Sequence, residues 1–332
     1  MENVTRGNDP RITKIVGKTL EKYDLDVENV TFIQHSENFT FRVTTPGKSF
    51  LLRLHLPLTS GMGSHGANPE VIHSEMVWLN SLQRNRLPVP HPVRNRAGEF
   101  VTRVTGADRK PVNGTVLEWL EGELYTRDLE SEDTVAQIGA LAGKIHSHSS
   151  RWRLPPAFER PTHNANYFLR IVDSLKPAVD DGRIDYYDFK TLQSSIQELS
   201  RTLQPIRKTR KSYGLIHGDL HRGNFLYHDG EISLIDFSLC AFGHFMYDLS
   251  TCLSNIQPSL HPIFLSNYAR FFPLPKNYER LIEGFFIASY AVTFSFWLDN
   301  PEAQEALVQR VPYIAREYAS KFNRDERFWF QN

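Results

Sequence analysis

Cysteine is nearly absent from this chain of 332 residues: Cys240 and Cys252 are the whole complement, and they lack metal-ligand spacing. Two thiols are too few for a disulfide framework, so a reducing cytoplasm is the simpler setting. A surplus of positive charge is missing as well, because 38 Lys and Arg balance 38 Asp and Glu. That balance weighs against nucleic acid as the main partner, which a basic surface would attract. The opening MENVTRGNDPRITK has no apolar signal core. The longest apolar run, Gly284 to Leu298, falls short of the ~20 residues a bilayer needs and is diluted by Ser, Thr and Tyr. It reads as a buried core helix, and no membrane association is expected. Internal repeats and low-complexity segments are lacking too.

What is there is globular: 40% apolar and 23% charged residues suffice for a sizeable core. The length exceeds the roughly 100–200 residues of one domain and points to two lobes. A short helix is expected over residues 10–24, with Ile15, Leu20 and Leu25 turned inward. The period then falls to two. VTFIQH, FTFRVTT and SFLLRLHL alternate, with turn signals at 36–38 and Pro46-Gly47, and predict a three-stranded antiparallel meander. After the SGMGSHGA loop, Asn68 can cap a helix opened by Pro69 and Glu70, in which Ile72, Met76, Leu79 and Leu82 recur at helical spacing. Glu75 falls on that apolar stripe, where an acid either sits at the edge or pairs with a buried base. Strands follow at 98–104 and 114–120. Beyond Gly122 helices dominate, at 131–148, 163–176, 186–204, 243–254, 262–271, 276–298 and 301–321. A sheet-rich lobe over 1–120 and a helical lobe over 121–332 make an α+β chain with a cleft between them.

One stretch breaks the helical pattern: GLIHGDLHRGNFLYHDGEISLIDF, from Gly214 to Phe237. FLYH and EISLIDF flank Asp229-Gly230, a strong hairpin signal. In a two-residue-turn register Asn224 faces Ile235, so Asn224 and Asp236 are close but on opposite faces, unless a bulge intervenes or the strands end short of both. The strands are taken to end. An amide oxygen and a carboxylate at the mouth of a hairpin form a hard-oxygen site suited to Mg2+. Asp219, five residues before Asn224, adds a carboxylate able to orient a hydroxyl and accept its proton. Taken singly these are ordinary turn residues; their joint spacing favours chemistry. A transition-metal site of His217, Asp219 and His221 is the weaker alternative, because Gly218 interrupts it and no distant His or Cys completes it.

HGDLHRGN followed by IDF resembles the phosphotransferase family of aminoglycoside, choline and homoserine kinases, whose fold is protein-kinase-like. The resemblance runs in order over most of the chain. It implies a bilobal enzyme, with an N-terminal antiparallel sheet plus helix and a larger, mostly helical lobe bearing the catalytic hairpin. It implies ATP and Mg2+, with Asp219 as the catalytic base and Asn224 and Asp236 as metal ligands. By the same resemblance Arg53 of FLLRLH holds phosphate oxygens and Glu75 pairs with it. The loop from His35 to Asn38 is similar to the phosphate-covering turn, with Ser36 and Asn38 at the nucleotide, although its glycines are missing. VLEWLEG resembles the hinge: Leu117 lies behind adenine, and the Glu118 carbonyl and Leu120 amide meet it. His217 and Asp248, the latter in GHFMYDLS, support the catalytic loop, and Ser238-Leu239 stand where relatives often carry further acids. His221 and Arg222 occupy variable positions, open to substrate or phosphate. GMGSHG at 61–66 reads as a loop and not a phosphate cradle, and Trp297 as core more than pocket wall.

The expected activity is transfer of the γ-phosphate of ATP to a hydroxyl of a small molecule: an amino alcohol, a hydroxy amino acid or a sugar-like acceptor. The last eighty or so residues hold about as many bases as acids and many aromatics, which disfavours a polycationic acceptor. Two rival readings stay open at this point. One is a Ser/Thr protein kinase like the bacterial stress-response kinases that share these motifs; the other is a nucleotide-binding pseudokinase, which would have no need of Asp219. A homodimer is compatible with the chain.

Overall fold

A computed structural model describes residues 9–35, 38–56, 68–106, 109–298, 300 and 303–330. The period-two stretches form strands β1 (Asn29–His35), β2 (Phe39–Thr45) and β3 (Lys48–Leu54), paired antiparallel in sequence order. β3 pairs onward with β6 (Pro111–Glu118), against which the short β4 (Pro92–Val93) and β5 (Thr102–Thr105) also lie. In β3 alternation sorts the side chains. Phe50, Leu52 and Leu54 join Phe41, Val43 and Ile15 in one core, and Arg53 falls on the other face. A bulge in β1 between Phe32 and Gln34 turns Ile33 outward next to the predicted phosphate turn.

Helix α1 (Pro10–Leu20) starts at an Asp9 cap and ends earlier than its pattern suggests. Beyond Leu20 the chain leaves the helix and buries Tyr23, whose hydroxyl meets Thr102 Oγ1 at 3.0 Å; this long-range bond overrides the local period, and Leu25 stays half-buried. Helix α2 (Pro69–Arg84) is capped by Asn68, which accepts from the Glu70 amide at 2.9 Å. Its residues Met76, Trp78, Leu79 and Leu82 belong to the core of the larger lobe, where Trp78 meets Phe237 edge-on.

That lobe holds α3 (Glu132–Arg151), α4 (Ala165–Asp173), α5 (Lys176–Asp180), α6 (Tyr186–Leu203), α7 (Phe245–Leu253), α8 (His261–Ala269), α9 (Tyr278–Leu298) and α10 (Gln304–Ile314). Gly139 lets α3 and α8 touch, because a Cβ there would lie 2.3 Å from the Phe264 carbonyl oxygen. The helix expected over 163–176 is divided. Thr162–His163 form β8, paired with β12 (Ala241–His244), and Asn164 caps α4 by accepting from the Tyr167 amide. β12 also pairs with β9 (Tyr213–Ile216), which delays the start of α7 to Phe245. The last expected helix is likewise interrupted, by Pro312 and a π turn at Ala315–Ala319. Among the described residues α9 is the one helix long and apolar enough to cross a membrane. It is built into the core through Phe285, Ile287, Ala291 and Phe294. Trp297 packs on that core beside Phe294, while Val292 and Phe296 line a cavity.

Candidate active site

Asp229 and Gly230, both at positive φ (47° and 86°), close the hairpin of β10 (Phe225–His228) and β11 (Glu231–Leu234). The last ladder pair is Phe225 with Leu234, so the strands end before Asn224 and Asp236. Asn224 closes a 3-10 turn (Arg222–Asn224), and its carbonyl accepts from the Ile235 amide at 2.8 Å. Asp236 takes a left-handed φ of 58°, which frees it from the pleat. The two residues thus stand side by side at the hairpin mouth with neither bound by strand alternation. β7 (Glu123–Leu124) pairs with β10 and joins the hairpin to the segment after β6.

The loop before the hairpin hangs on Asp248, which is fully buried in the first turn of α7. Its two oxygens accept the amides of His217 (2.7 Å) and Gly218 (2.9 Å), and Oδ2 also lies 3.1 Å from His146 Nε2. The other nitrogen of His146 meets the Tyr268 hydroxyl at 2.9 Å. His217, equally buried, accepts the Asp219 amide on Nδ1 and donates from Nε2 to the Ile235 carbonyl at 3.0 Å, so one imidazole ties the Asp219 loop to the Asp236 loop. Gly218 sits at φ 80° with the Leu239 carbonyl against its Cα.

Asp219 Oδ2 receives Asn224 Nδ2 at 3.1 Å and His221 Nε2 at 3.2 Å. Burial alone would push the Asp219 carboxyl up. The hydrogen bond and charge of His221, with His217 and Asn224 behind them, outweigh it and hold the group below its ordinary 3.8. His221 responds in kind: burial pulls it down, and Asp219, then Asp236, hold it above 6.5. Arg222 points elsewhere. It pairs with the buried Glu130 at 3.0 Å and donates to the Asn255 carbonyl, which ties the loop to the lobe.

On the opposite wall Arg53 Nη2 meets Glu75 Oε1 at 2.6 Å, with the side chains 4% and 3% exposed. This pair accounts for the acid on the apolar stripe of α2. Arg53 Nη1 lies 3.9 Å from Asp236 Oδ1, and its Nε has no partner among the described residues. Burial opposes the charge of Arg53, but Glu75 and then Asp236 outweigh it and raise its pKa beyond the ordinary arginine range. The spare guanidinium donors suit a phosphate oxygen. Asn38 lines the neighbouring cavity; Ser36 lies outside the described residues. Leu117 is buried, and Glu118 pairs with Lys48 at 3.0 Å. Among the described residues no hydrogen bond is made by the Leu120 amide, which leaves a donor for an adenine acceptor.

The donor set suits a small hard cation. Asn224 gives its amide nitrogen to Asp219 and keeps its oxygen, and among the described residues the half-exposed Asp236 carboxylate has the Ser238 amide and the more distant Arg53 on Oδ1 and nothing on Oδ2. His, Cys, Asp and Glu form no cluster of three suited to a metal among the described residues, so nothing supports the alternative His217–Asp219–His221 site.

A cavity of about 350 Å³ opens beside this loop, between α2, α4 and α9, with Gly218, Ser238 and Leu239 on its inner side. Arg160, 7% exposed, forms part of its wall and donates to the carbonyls of Cys240 (2.6 Å), Val71 (3.1 Å) and Ser238 (2.5 Å). Sequence reasoning missed Arg160, His146 and Glu130. Each is a lone polar residue outside any motif, His146 within the helix expected over 131–148, and its partners are supplied by elements remote in the chain.

A model of the phosphotransferase enzyme family matches residues 29–281. Amicoumacin kinase of Bacillus subtilis is 24% identical over 244 residues, 73% of this chain and 68% of that protein. Homoserine kinase of Parvibaculum lavamentivorans is 25% identical over 232 residues, 69% of this chain but 61% of that protein, under two thirds of its length. Among solved structures, an amicoumacin kinase in complex with AMP-PNP, Ca2+ and Ami superposes with a TM-score of 0.76 at 21% identity, covering 98% of this chain and 96% of that one. A microcompartment-associated aminopropanol kinase gives 0.77 at 22% identity, covering 96% and 100%. These structural likenesses establish a shared fold.

Proposed function

The chain belongs to the phosphotransferase enzyme family and is a kinase of hydroxyl acceptors; from that premise we propose that it moves the γ-phosphate of ATP, with Mg2+, to a hydroxyl of a small molecule such as an amino alcohol, a hydroxy amino acid or a sugar-like compound. One observation carries the reading: Asp219 stands with one oxygen held by His221 and Asn224, beside a hairpin mouth that presents Asn224 and Asp236 and faces the Arg53–Glu75 pair.

In this reading residues up to about 120 hold the nucleotide, and the rest of the chain holds the acceptor and the chemistry. Arg53, kept in place and charged by Glu75, binds phosphate oxygens. Leu117, Glu118 and Leu120 receive the base, and Ser36 and Asn38 approach the phosphates. Asn224 and Asp236 would hold Mg2+, which supplies charge neutralisation at the phosphates. Asp219 accepts the proton of the acceptor hydroxyl, while His217 and Asp248 fix its loop. The cavity beside Gly218 houses the acceptor. Its volume is near the lower end of the roughly 300–1,000 Å³ usual for small-molecule sites. The two free buried thiols suit a cytoplasmic setting.

The test is ADP release from ATP in the presence of Mg2+ across a panel of hydroxyl compounds, with a labelled-ATP lane for autophosphorylation. Acceptor-dependent ADP release that vanishes with chelator supports the reading. Autophosphorylation without any small-molecule turnover would replace it with a protein kinase.

A further inference from the structure

On the kinase reading above, we infer that the acceptor alcohol carries a carboxylate, held in the cavity beside Gly218 by the guanidinium of Arg170. The charge of the cavity points there. Arg160 and Arg170 both line it, and the one acid among the described lining residues is Glu75, already engaged by Arg53 at 2.6 Å. Arg160 gives its donors to three backbone carbonyls and has no carboxylate partner among the described residues, so its charge stands in the wall as a fixed positive field. His163 adds nothing to that charge at neutral pH, since burial, with Arg160 and against Asp248, holds it at about 4.

Arg170 differs from Arg160 in being free. It is exposed, and its side chain makes no hydrogen bond or ion pair among the described residues. It lies one turn after Tyr167 on α4, so both side chains reach the same stretch of cavity wall. The start of α4 meets the cavity too. Asn164 accepts the Tyr167 amide on its side-chain oxygen and keeps its amide nitrogen as a donor, and a helix start favours an anion. Leu239, Val292 and Phe296 supply apolar wall between these groups. An acceptor in this cavity can therefore lay its hydroxyl toward Asp219, next to Gly218, and its carboxylate toward Arg170. Among the described lining residues no acid is left to spare for the ammonium of an amino alcohol or for a polycation.

The test uses the whole protein with ATP and Mg2+. ADP release is compared for hydroxybutyrate, its uncharged amide, homoserine, aminopropanol and glycerol phosphate. The carboxylates are expected to exceed the amide and aminopropanol by about 10- to 100-fold in kcat/KM, the worth of a hydrogen bond to a charged group. Arg170→Gln should lose that preference through KM, and Arg170→Lys should recover part of it. Equal or better use of the amide or aminopropanol overturns the proposal, as does a preference for glycerol phosphate or an unaltered preference in Arg170→Gln. If no acceptor turns over, calorimetry with AMP-PNP present decides: hydroxybutyrate binding more tightly than its amide supports the assignment, and equal or absent binding overturns it. Failure of the kinase reading looks different, as loss of Mg2+-dependent ATP binding itself.

Discussion

At Asp219 two donors, His221 Nε2 and Asn224 Nδ2, converge on Oδ2 and, among the described residues, leave Oδ1 without a hydrogen bond, so one oxygen is held and the other is offered. Asp219→Asn keeps the shape and, on the proposed reading, removes the base. Turnover should fall by about 10²–10⁴-fold, while ATP affinity measured by calorimetry stays near that of the parent. Across the cleft, Glu75→Ala strands a buried guanidinium whose next carboxylate is 3.9 Å away, and urea unfolding should register a loss of about 3–5 kcal/mol. His221 carries a pH signature. Its folded pKa is raised, so its stabilising charge is complete below 6.5 and fades as pH climbs through the raised value. Asp219 has a lowered pKa, so its share is complete above 3.8 and is lost as pH falls through the depressed value. The melting temperature of the parent should therefore drop relative to His221→Gln as pH rises from 6.5, and parallel curves would contradict the pairing.

Turns and strand ends decide the geometry of the elements. The Asp229-Gly230 dipeptide made the hairpin legible, and the strands do stop short of Asn224 and Asp236; the sequence could state that requirement but contained nothing to enforce it. What frees Asp236 is a left-handed backbone, which no side-chain pattern encodes. The helix expected over 163–176 starts later, at Ala165, for a related reason. Thr162–His163 become a strand only because β12, almost eighty residues later, lies beside them. The same holds for Arg160, whose acceptors come from α2 and from the segment after Asp236. Gly218 tests how tightly the loop is set. A Cβ there would come within 2.2 Å of the Leu239 carbonyl oxygen at a φ of 80°. Gly218→Ala should cost roughly 1–3 kcal/mol in unfolding free energy. Its turnover should fall further than its unfolded fraction accounts for, because Asp219 must move with the loop.

In the whole molecule, acid sensitivity follows from buried histidines. His163 and His244, both under a tenth exposed, are held at about 4 chiefly by burial. An unfolded histidine takes its proton near 6.5, so between about 4 and 6.5 the unfolded chain binds more protons and stability rises with pH. Melting temperature should climb across that window, with each histidine worth up to about 3 kcal/mol. A flat profile would mean that these rings are solvated. The bilobal α+β plan was readable because each lobe follows one hydrophobic period over long stretches. The membership of α2 was not, since its apolar stripe looks the same whichever lobe covers it.

That membership bears on how turnover begins. Met76, Trp78, Leu79 and Leu82 root α2 in the core of the larger lobe, and Glu75 stands on the same helix holding Arg53. On the proposed reading, a helix so rooted keeps the Arg53–Glu75 pair assembled before any nucleotide arrives. Progress curves should then run straight from the first cycle, with no lag, no priming modification and no activating subunit.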